Sequence, residues 1–381
     1  HNPPNYNGIK INDKNGAPAP KIMTNWIQDE ANKCFEYQSQ EFKQFRKQPD
    51  CQRVDYTKLF CEHLQLLFKE KFNLPFPDFS GDYIIDTKCG SAIDVWKYLT
   101  QNSIGNITWK NNKFSSNFNY ELPDPTSKVS IQSIGESCRN YQCVGFSNDP
   151  DADRHVLINE SGAFVSPEKT AAIILSHFHS NGIGIESVST TLANSILVKL
   201  VCKKLNIPVQ ETLIGFKYFT PYLTNAFNKN RLAIGVESSG GFSVSYHSYD
   251  KCGFLPILLI LGIMKKQNKS LVELCNDIDD QFGEFKFEEV AIKLVNGQGK
   301  LPISKQMTSN KSLLTTFFSA PVSSVNYDDG LKISFENNDW VLCRPSGTEP
   351  LIRVYAESSS TNQALNYIEK IKVLITESSQ E

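Results

Sequence analysis

The sequence has no CxxC pair, no GxGxxG, no GxxxxGK[ST] and no apolar run long enough to cross a bilayer. Its longest apolar run, Gly253 to Met264, is closed by Lys265-Lys266 and falls well short of the ~20 residues a span needs, so it reads as a buried helix. Without the glycine fingerprints, dinucleotide and Walker-type nucleotide sites have no signature. The ten cysteines are scattered and unlike the framework of a small secreted domain; free, mostly buried thiols in a reducing compartment are expected. No signal or transit segment is visible at the start, and the expected location is cytoplasmic. Surplus positive charge is also lacking: 39 basic against 41 acidic side chains leave a net charge of −2, which excludes non-specific nucleic-acid binding. There is no repeat of solenoid period. No Ser–His–Asp or Cys–His pattern emerges, and His177 and His179, two apart on a helix, point to different faces and make no zinc pair.

What is present is globular. Apolar residues make up 40% and charged residues 21% of 381, and at ~100–200 residues per domain two to four domains are expected. Strand-like segments over 142–149, 155–160, 183–189, 209–214 and 232–237 alternate with helical spacing over 167–181, 191–205, about 218–230 and 254–266. That alternation predicts crossover units and mostly parallel sheets flanked by helices. The last hundred residues differ. Segments 331–335 and 340–343 flank a polar turn and predict an antiparallel hairpin; a strand over 351–357 and a helix over about 362–375 complete an α+β unit. The stretch 296–312 reads as a surface loop. Upstream, a helix over 56–69, a strand over 83–86 ending in Lys88-Cys89-Gly90-Ser91, and one helix within the first ~45 residues can be placed.

Four local motifs could carry chemistry. In Asp149-Pro150-Asp151-Ala152-Asp153-Arg154 three carboxylates at i, i+2 and i+4 share one side if the segment is extended, and Pro150 keeps Asp149 out of the helical region. Clustered carboxylates repel, so they need a cation; hard oxygens on a short loop suit Mg²⁺. An EF-hand, with Glu160 at its twelfth position, fails because Arg154 stands where the loop needs glycine. Arg344-Pro345-Ser346-Gly347-Thr348-Glu349-Pro350, with Arg353 beyond, offers forked guanidinium and hydroxyl donors to a phosphate. Gly235-Val236-Glu237-Ser238-Ser239-Gly240-Gly241 sets a carboxylate and hydroxyls among glycines, suited to sugar hydroxyls. Gly215-Phe216-Lys217 follows a strand. Taken singly, each motif is also compatible with an acidic turn, an ordinary inter-strand turn or a solvated lysine.

Their co-occurrence and order, together with the opening His1-Asn2-Pro3-Pro4-Asn5-Tyr6-Asn7-Gly8-Ile9-Lys10, resemble the α-D-phosphohexomutase superfamily of phosphoglucomutases and phosphomannomutases. The resemblance spans essentially the whole chain. It implies an α/β multidomain fold around a cleft: a remnant of domain I (1–48), domain II ending in the metal loop (49–163), domain III with the sugar loop (164–283) and an α+β domain IV with the phosphate loop (284–381). By similarity, Asp149, Asp151 and Asp153 bind Mg²⁺ and Arg154 contacts phosphate. Glu237 and Ser239 hold sugar hydroxyls; Arg344, Ser346, Gly347, Thr348 and Arg353 grip the phosphate that is not reacting. Lys10 and Lys217 are acid/base or phosphate-contact positions, and His1 lies beside the nucleophile.

The implied activity moves phosphate between C1 and C6 of glucose or mannose phosphates through a phosphoserine and a hexose 1,6-bisphosphate. The implied partners are those sugar phosphates, without nucleic acid or membrane, in a monomer or dimer. The resemblance places the nucleophilic serine immediately before His1. The chain is therefore expected to begin one residue after it, to lack most of domain I, to expose apolar surface there and to be inactive alone. Ser238 stands where many relatives carry a second acid, and Gly241 where some carry His. A non-catalytic sugar-phosphate binder and a phosphopentomutase or bisphosphate synthase relative are the alternative expectations.

Overall fold

The structure is a computed structural model that describes residues 4–5, 8–36, 52, 54–293, 310–345 and 351–377. Three sheets are built in chain order. The first runs β2-β1-β3-β4-β5, from Tyr83–Asp86 (β1), Ile107–Lys110 (β2), Val144–Asn148 (β3), His155–Ile158 (β4) and Phe164–Val165 (β5). Its β2, β1 and β3 are parallel, with Ile85 opposite both Trp109 and Phe146, and β4 and β5 add antiparallel. The second sheet has the order β7-β6-β8-β9, from Ile185–Thr191 (β6), Val209–Thr212 (β7), Leu232–Val236 (β8) and Phe242–Val244 (β9); here only β9 pairs antiparallel. The third is wholly antiparallel: Lys286–Lys293 (β10), Val322–Asn326 (β11), Leu331–Phe335 (β12), Trp340–Pro345 (β13) and Leu351–Ser358 (β14), in the order β10-β14-β13-β12-β11.

The expected mostly parallel α/β units and the antiparallel hairpin are therefore present. Two elements differ from expectation. The helix expected over 191–205 spans only Ile196–Lys204, because Thr191 ends β6 and Ser195 caps the helix by accepting from Leu197 N–H. At the end of the stretch expected as loop, residues 311 and 312 open a helix, Lys311–Phe318; the rest of 296–309 lies outside the described residues. Strand β10 carried no alternation signal, since Lys286, Glu288, Glu289 and Lys293 interrupt its apolar positions.

Helix ends follow local chemistry. Helix Pro167–Ser180 starts at Ser166, whose Oγ accepts from Lys169 N–H at 3.1 Å, with Pro167 in the first turn. Helix Leu271–Phe282 opens with a capping box, Ser270 and Glu273 satisfying each other's backbone N–H. Glu160 adds a carboxylate to that N-terminus, accepting from Leu271 N–H at 2.9 Å and Val272 N–H at 3.1 Å. The residue that mimicked an EF-hand position thus caps a helix.

Helix Phe254–Gln267 is buried along most of its length, as expected of an apolar run without polar faces. Each fully buried Leu or Ile in it contributes roughly 1.5–3 kcal/mol, and a Leu258→Ala cavity would cost about 2–5 kcal/mol. One core runs continuously beneath the first two sheets, from Leu64 to Ile278; a second underlies the third sheet. Leu192, Ala193, Trp340 and Leu342 bridge the second and third sheets. Polar contacts reinforce that junction: Glu357 Oε2 accepts from Ile196 N–H and from Trp340 Nε1–H, both at 2.8 Å.

Helix Lys21–Glu36 exposes Ile22, Met23 and Trp26. Among the described residues all nine cysteines are free thiols, buried except Cys34, and no helix is long and apolar enough to cross a membrane.

Candidate active site

The carboxylate loop leaves the carboxyl end of β3, where open α/β sheets place their ligands. It is not extended. Ala152 adopts φ +58° and its N–H bonds Asp149 O at 2.9 Å, so a tight turn, rather than strand alternation, gathers the carboxylates. The correction leaves the expected cluster intact: one oxygen from each of Asp149, Asp151 and Asp153 lies within 4.8 Å of the others.

Asp149 is buried, and its Oδ1 accepts from Arg154 N–H at 2.9 Å. Burial, reinforced by the charges of Asp151 and Asp153, pushes its carboxyl up to about 7. Three hard oxygens that cannot all ionise without a counter-charge are a donor set suited to a small divalent cation, so these residues fit Mg²⁺. Arg154 Nε is buried, makes no hydrogen bond and stands 3.8 Å from Asp149 Oδ2 and 3.9 Å from Asp153 Oδ1.

Two lysines close on this loop. Lys10 Nζ lies 2.7 Å from Asp250 Oδ2 and 3.6 Å from Asp153 Oδ2. Burial alone would lower its basicity, but the hydrogen bond to Asp250 and the carboxylates of Asp250, Asp153 and Asp151 outweigh it and raise the group. Lys251 Nζ lies 2.9 Å from Asp153 Oδ2. Lys251 and Asp250 were missed by sequence reasoning; the only signal was a charged pair just before an apolar helix.

The sugar-type loop follows β8 and meets the carboxylate loop directly. Arg154 and Gly241 form an antiparallel bridge, and His155 N–H bonds Gly240 O at 3.1 Å. His155 Nδ1 also lies 2.6 Å from Gly240 O, so Nδ1 carries the proton; burial pushes this imidazole down to about 4. Glu237 is buried, which raises its carboxyl against the opposing pull of Lys251 and Arg154. Ser239 Oγ stands 3.5 Å from Glu237 Oε2. A Cβ at Gly241 would fall 2.4 Å from Lys251 Cδ, so the lysine stem occupies the space a side chain there would take. Beside the carboxylate loop an open pocket of about 570 Å³ is lined by Phe60, His63, Asp151, His247 and Lys251.

A second group gathers at the junction of the second and third sheets. Arg344 and Arg353 are cross-strand partners on β13 and β14, flanking residues 346–350. Arg344 Nε–H bonds Asp329 Oδ1 at 2.7 Å, and Asp329 Oδ2 accepts from Ile214 N–H at 3.0 Å. That carboxylate links Arg344 to the segment leading into the turn Phe216–Tyr218, in which Lys217 Nζ sits 5.2 Å over the Tyr218 ring. Arg353 Nη1 pairs with Glu289 at 2.8 Å. Ser346, Gly347, Thr348 and His1 lie outside the described residues.

Strands with a carboxylate loop at their carboxyl ends, a glutamate loop sewn to it and a cross-strand arginine pair define an α/β protein with a charged site built from several loops. Three family models match the chain in order. They are phosphoglucomutase/phosphomannomutase domain I over residues 1–38, domain III over 166–282 and the C-terminal domain over 291–372. The chain belongs to the α-D-phosphohexomutase superfamily, a family of hexose-phosphate mutases.

It is similar to phosphoglucomutase/phosphomannomutase of Thermococcus kodakarensis, 26% identical over 97% of this chain and 75% of that protein. It is also similar to phosphoglucosamine mutase of Methanocaldococcus jannaschii, 27% identical over 99% of this chain and 79% of that protein. The fold matches the open form of pp63/parafusin, a phosphoglucomutase from Paramecium, with a TM-score of 0.68 and 21% identity, covering 98% of this chain and 74% of that one. The chain spans 66% to 79% of the length of these proteins and of a solved structure from Thermus thermophilus that shares the fold.

Proposed function

We propose that the protein is a phosphohexomutase that interconverts hexose 1-phosphate and hexose 6-phosphate, with glucose or mannose as the sugar. The single observation that carries this reading is the seam between two loops of different chemistry. Arg154 bridges to Gly241, and Lys251 lies between Asp153 and the Glu237 loop, so a cation site and a hydroxyl-binding site share one wall. Phosphoryl transfer to a sugar hydroxyl needs that adjacency: the transferring group must be neutralised where the hydroxyl is held.

In this reading the four divisions 1–48, 49–163, 164–283 and 284–381 each supply one loop. Asp149, Asp151 and Asp153 would hold Mg²⁺, which supplies charge neutralisation for the transferring phosphoryl group. Arg154, beside the carboxylate loop, would contact the phosphoryl oxygens with its guanidinium. Glu237 and Ser239 orient the accepting hydroxyl, with the raised carboxyl of Glu237 able to exchange a proton with it. Arg344, Ser346, Gly347, Thr348 and Arg353 hold the distal phosphate, and Lys217 joins them from the Ile214–Asp329 contact. Lys10, steadied by Asp250, faces the carboxylate loop as an acid/base or phosphate contact, and His1 enters the site on the family resemblance alone. The bisphosphate must present either end to the arginine edge, which asks for charge recognition rather than shape recognition there.

The test uses the full-length gene product, primed with hexose 1,6-bisphosphate and Mg²⁺. Turnover of glucose 1-phosphate, mannose 1-phosphate, glucosamine 1-phosphate and ribose 1-phosphate is followed by ³¹P NMR, with intact mass reporting one covalent phosphoryl group. Hexose turnover with the phosphorylated species is expected. Hexose-phosphate binding without turnover or phosphorylation would establish a non-catalytic binder instead, and preferential ribose turnover a phosphopentomutase.

A further inference from the structure

The carboxylate loop is held by residues that carry no chemistry of their own. Asn148, the last residue of β3, is fully buried, and its side chain crosses the base of the loop. Its Nδ2–H donates to Arg154 O at 2.8 Å, six residues on, while its Oδ1 accepts from Trp96 Nε1–H at 2.7 Å. Trp96 is itself immobilised: fully buried, it packs against Phe146 and Phe254 with ring centroids 4.6 and 5.3 Å away. The staple therefore has one end on the loop and the other on the core.

The loop backbone is bounded on two further sides. Pro150 O accepts from Ser91 N–H at 2.8 Å and Ser91 Oγ–H at 3.1 Å, and a Cβ on Gly90 would lie 2.2 Å from that oxygen. Ala152 O accepts from Gly253 N–H at 3.0 Å, and a Cβ on Gly253 would lie 2.2 Å from Arg154 O and 2.4 Å from Asn148 Nδ2. These contacts occupy the loop's carbonyls at Pro150, Ala152 and Arg154. The carboxylates of Asp151 and Asp153 are left to face outward, where Lys10 and Lys251 are their cationic neighbours.

Three like-charged side chains on a free loop would spread apart, and gathering them would subtract from the binding free energy of any cation. A frame that fixes the backbone removes that cost before the cation arrives. We infer that Asn148, anchored by Trp96 and bounded by Gly90 and Gly253, is a positioning residue that sets the carboxylate loop in ligand spacing for a divalent cation. The inference rests on the metal reading given under Proposed function.

Its test is Mn²⁺ binding by the full chain, read from the EPR signal of free Mn²⁺ and from the line shape of the bound ion, without any assay of turnover. Asn148→Ala removes the staple, and Trp96→Phe keeps most of the ring while deleting the donor that orients it. Each is expected to weaken Mn²⁺ about 10–100-fold, the usual effect of losing a partner behind the ligands. Ser270→Ala, which lowers stability at a distant helix cap, is expected to leave Mn²⁺ affinity unchanged. Asp151→Asn separates the two ideas. If Asp151→Asn loses Mn²⁺ while folded Asn148→Ala and Trp96→Phe bind it with parental affinity, the positioning role is overturned and the metal site stands. If Asp151→Asn binds as the parent does, the metal reading fails and takes this inference with it.

Discussion

Glu168 offers a prediction whose size and sign both follow from its surroundings. It is the second residue of helix Pro167–Ser180 and is buried, with Ser195 N–H 3.4 Å from its Oε1. Burial, aided by the charge of Glu357 and only partly offset by hydrogen bonds from the backbone and from Ser166, pushes its carboxyl from 4.5 up to about 7. The fold therefore favours the protonated acid. The stability that form carries is intact below pH 4.5, declines as pH rises toward 7, and is gone above it. At ~1.4 kcal/mol per pH unit, ionisation costs the folded state up to about 3 kcal/mol at pH 8.

Glu168→Gln keeps the shape and the acceptor for Ser195 but cannot ionise. Relative to the parent it should be of nearly equal stability at pH 4.5 and more stable by about 1–3 kcal/mol at pH 8, the gap opening between those values. Urea midpoints at pH 4.5, 6, 7 and 8, with unchanged m-values, measure this directly. A gap that is constant across the series, or that closes as pH rises, would refute the assignment of Glu168 as an acid kept neutral by burial.

Other consequences are sharper in the site than in the core. Asp149→Asn should abolish the Mg²⁺ dependence of turnover and lower kcat about 100-fold or more, checked by steady-state kinetics across a Mg²⁺ titration. Arg344→Ala frees Asp329 and removes the proposed phosphate donor; KM for a hexose phosphate should rise about 10–100-fold while Mn²⁺ affinity is unmoved. Gly145→Ala would set a methyl 2.5 Å from Cys138 Sγ and 2.6 Å from Ile134 Cγ2, so urea denaturation should show a loss of about 1–3 kcal/mol. Ser270→Ala breaks the capping box and should cost about 1 kcal/mol in the same assay.

Much of the fold could be read from periodicity. Helix Pro167–Ser180 announced itself by an early proline and apolar residues at 171, 174, 175 and 178, and β8 by an apolar run closed by Glu237. Strand β10 could not be read, because its charged positions are half-satisfied by cross-strand neighbours such as Arg353 rather than by a buried face. The carboxylate trio was legible as chemistry and misread as geometry. Alternation along an extended chain and a turn through Ala152 both put three carboxylates together, and residue spacing alone does not distinguish them.

Sequence by itself determined what is local: which residues carry charge and hydroxyls, where helices start, and which runs must be buried. It thereby exposed the aspartate, glutamate and arginine loops as separate pieces with a recognisable order. Only the tertiary structure decided that Lys251 reaches Asp153, that Asp329 links Arg344 to the Lys217 turn, and that Trp96 and Asn148 brace the aspartate loop. Those partners are far apart along the chain or ordinary in type. Their meeting is fixed by how the sheets and helices pack around shared cores, a property of the whole chain that no short window of residues contains.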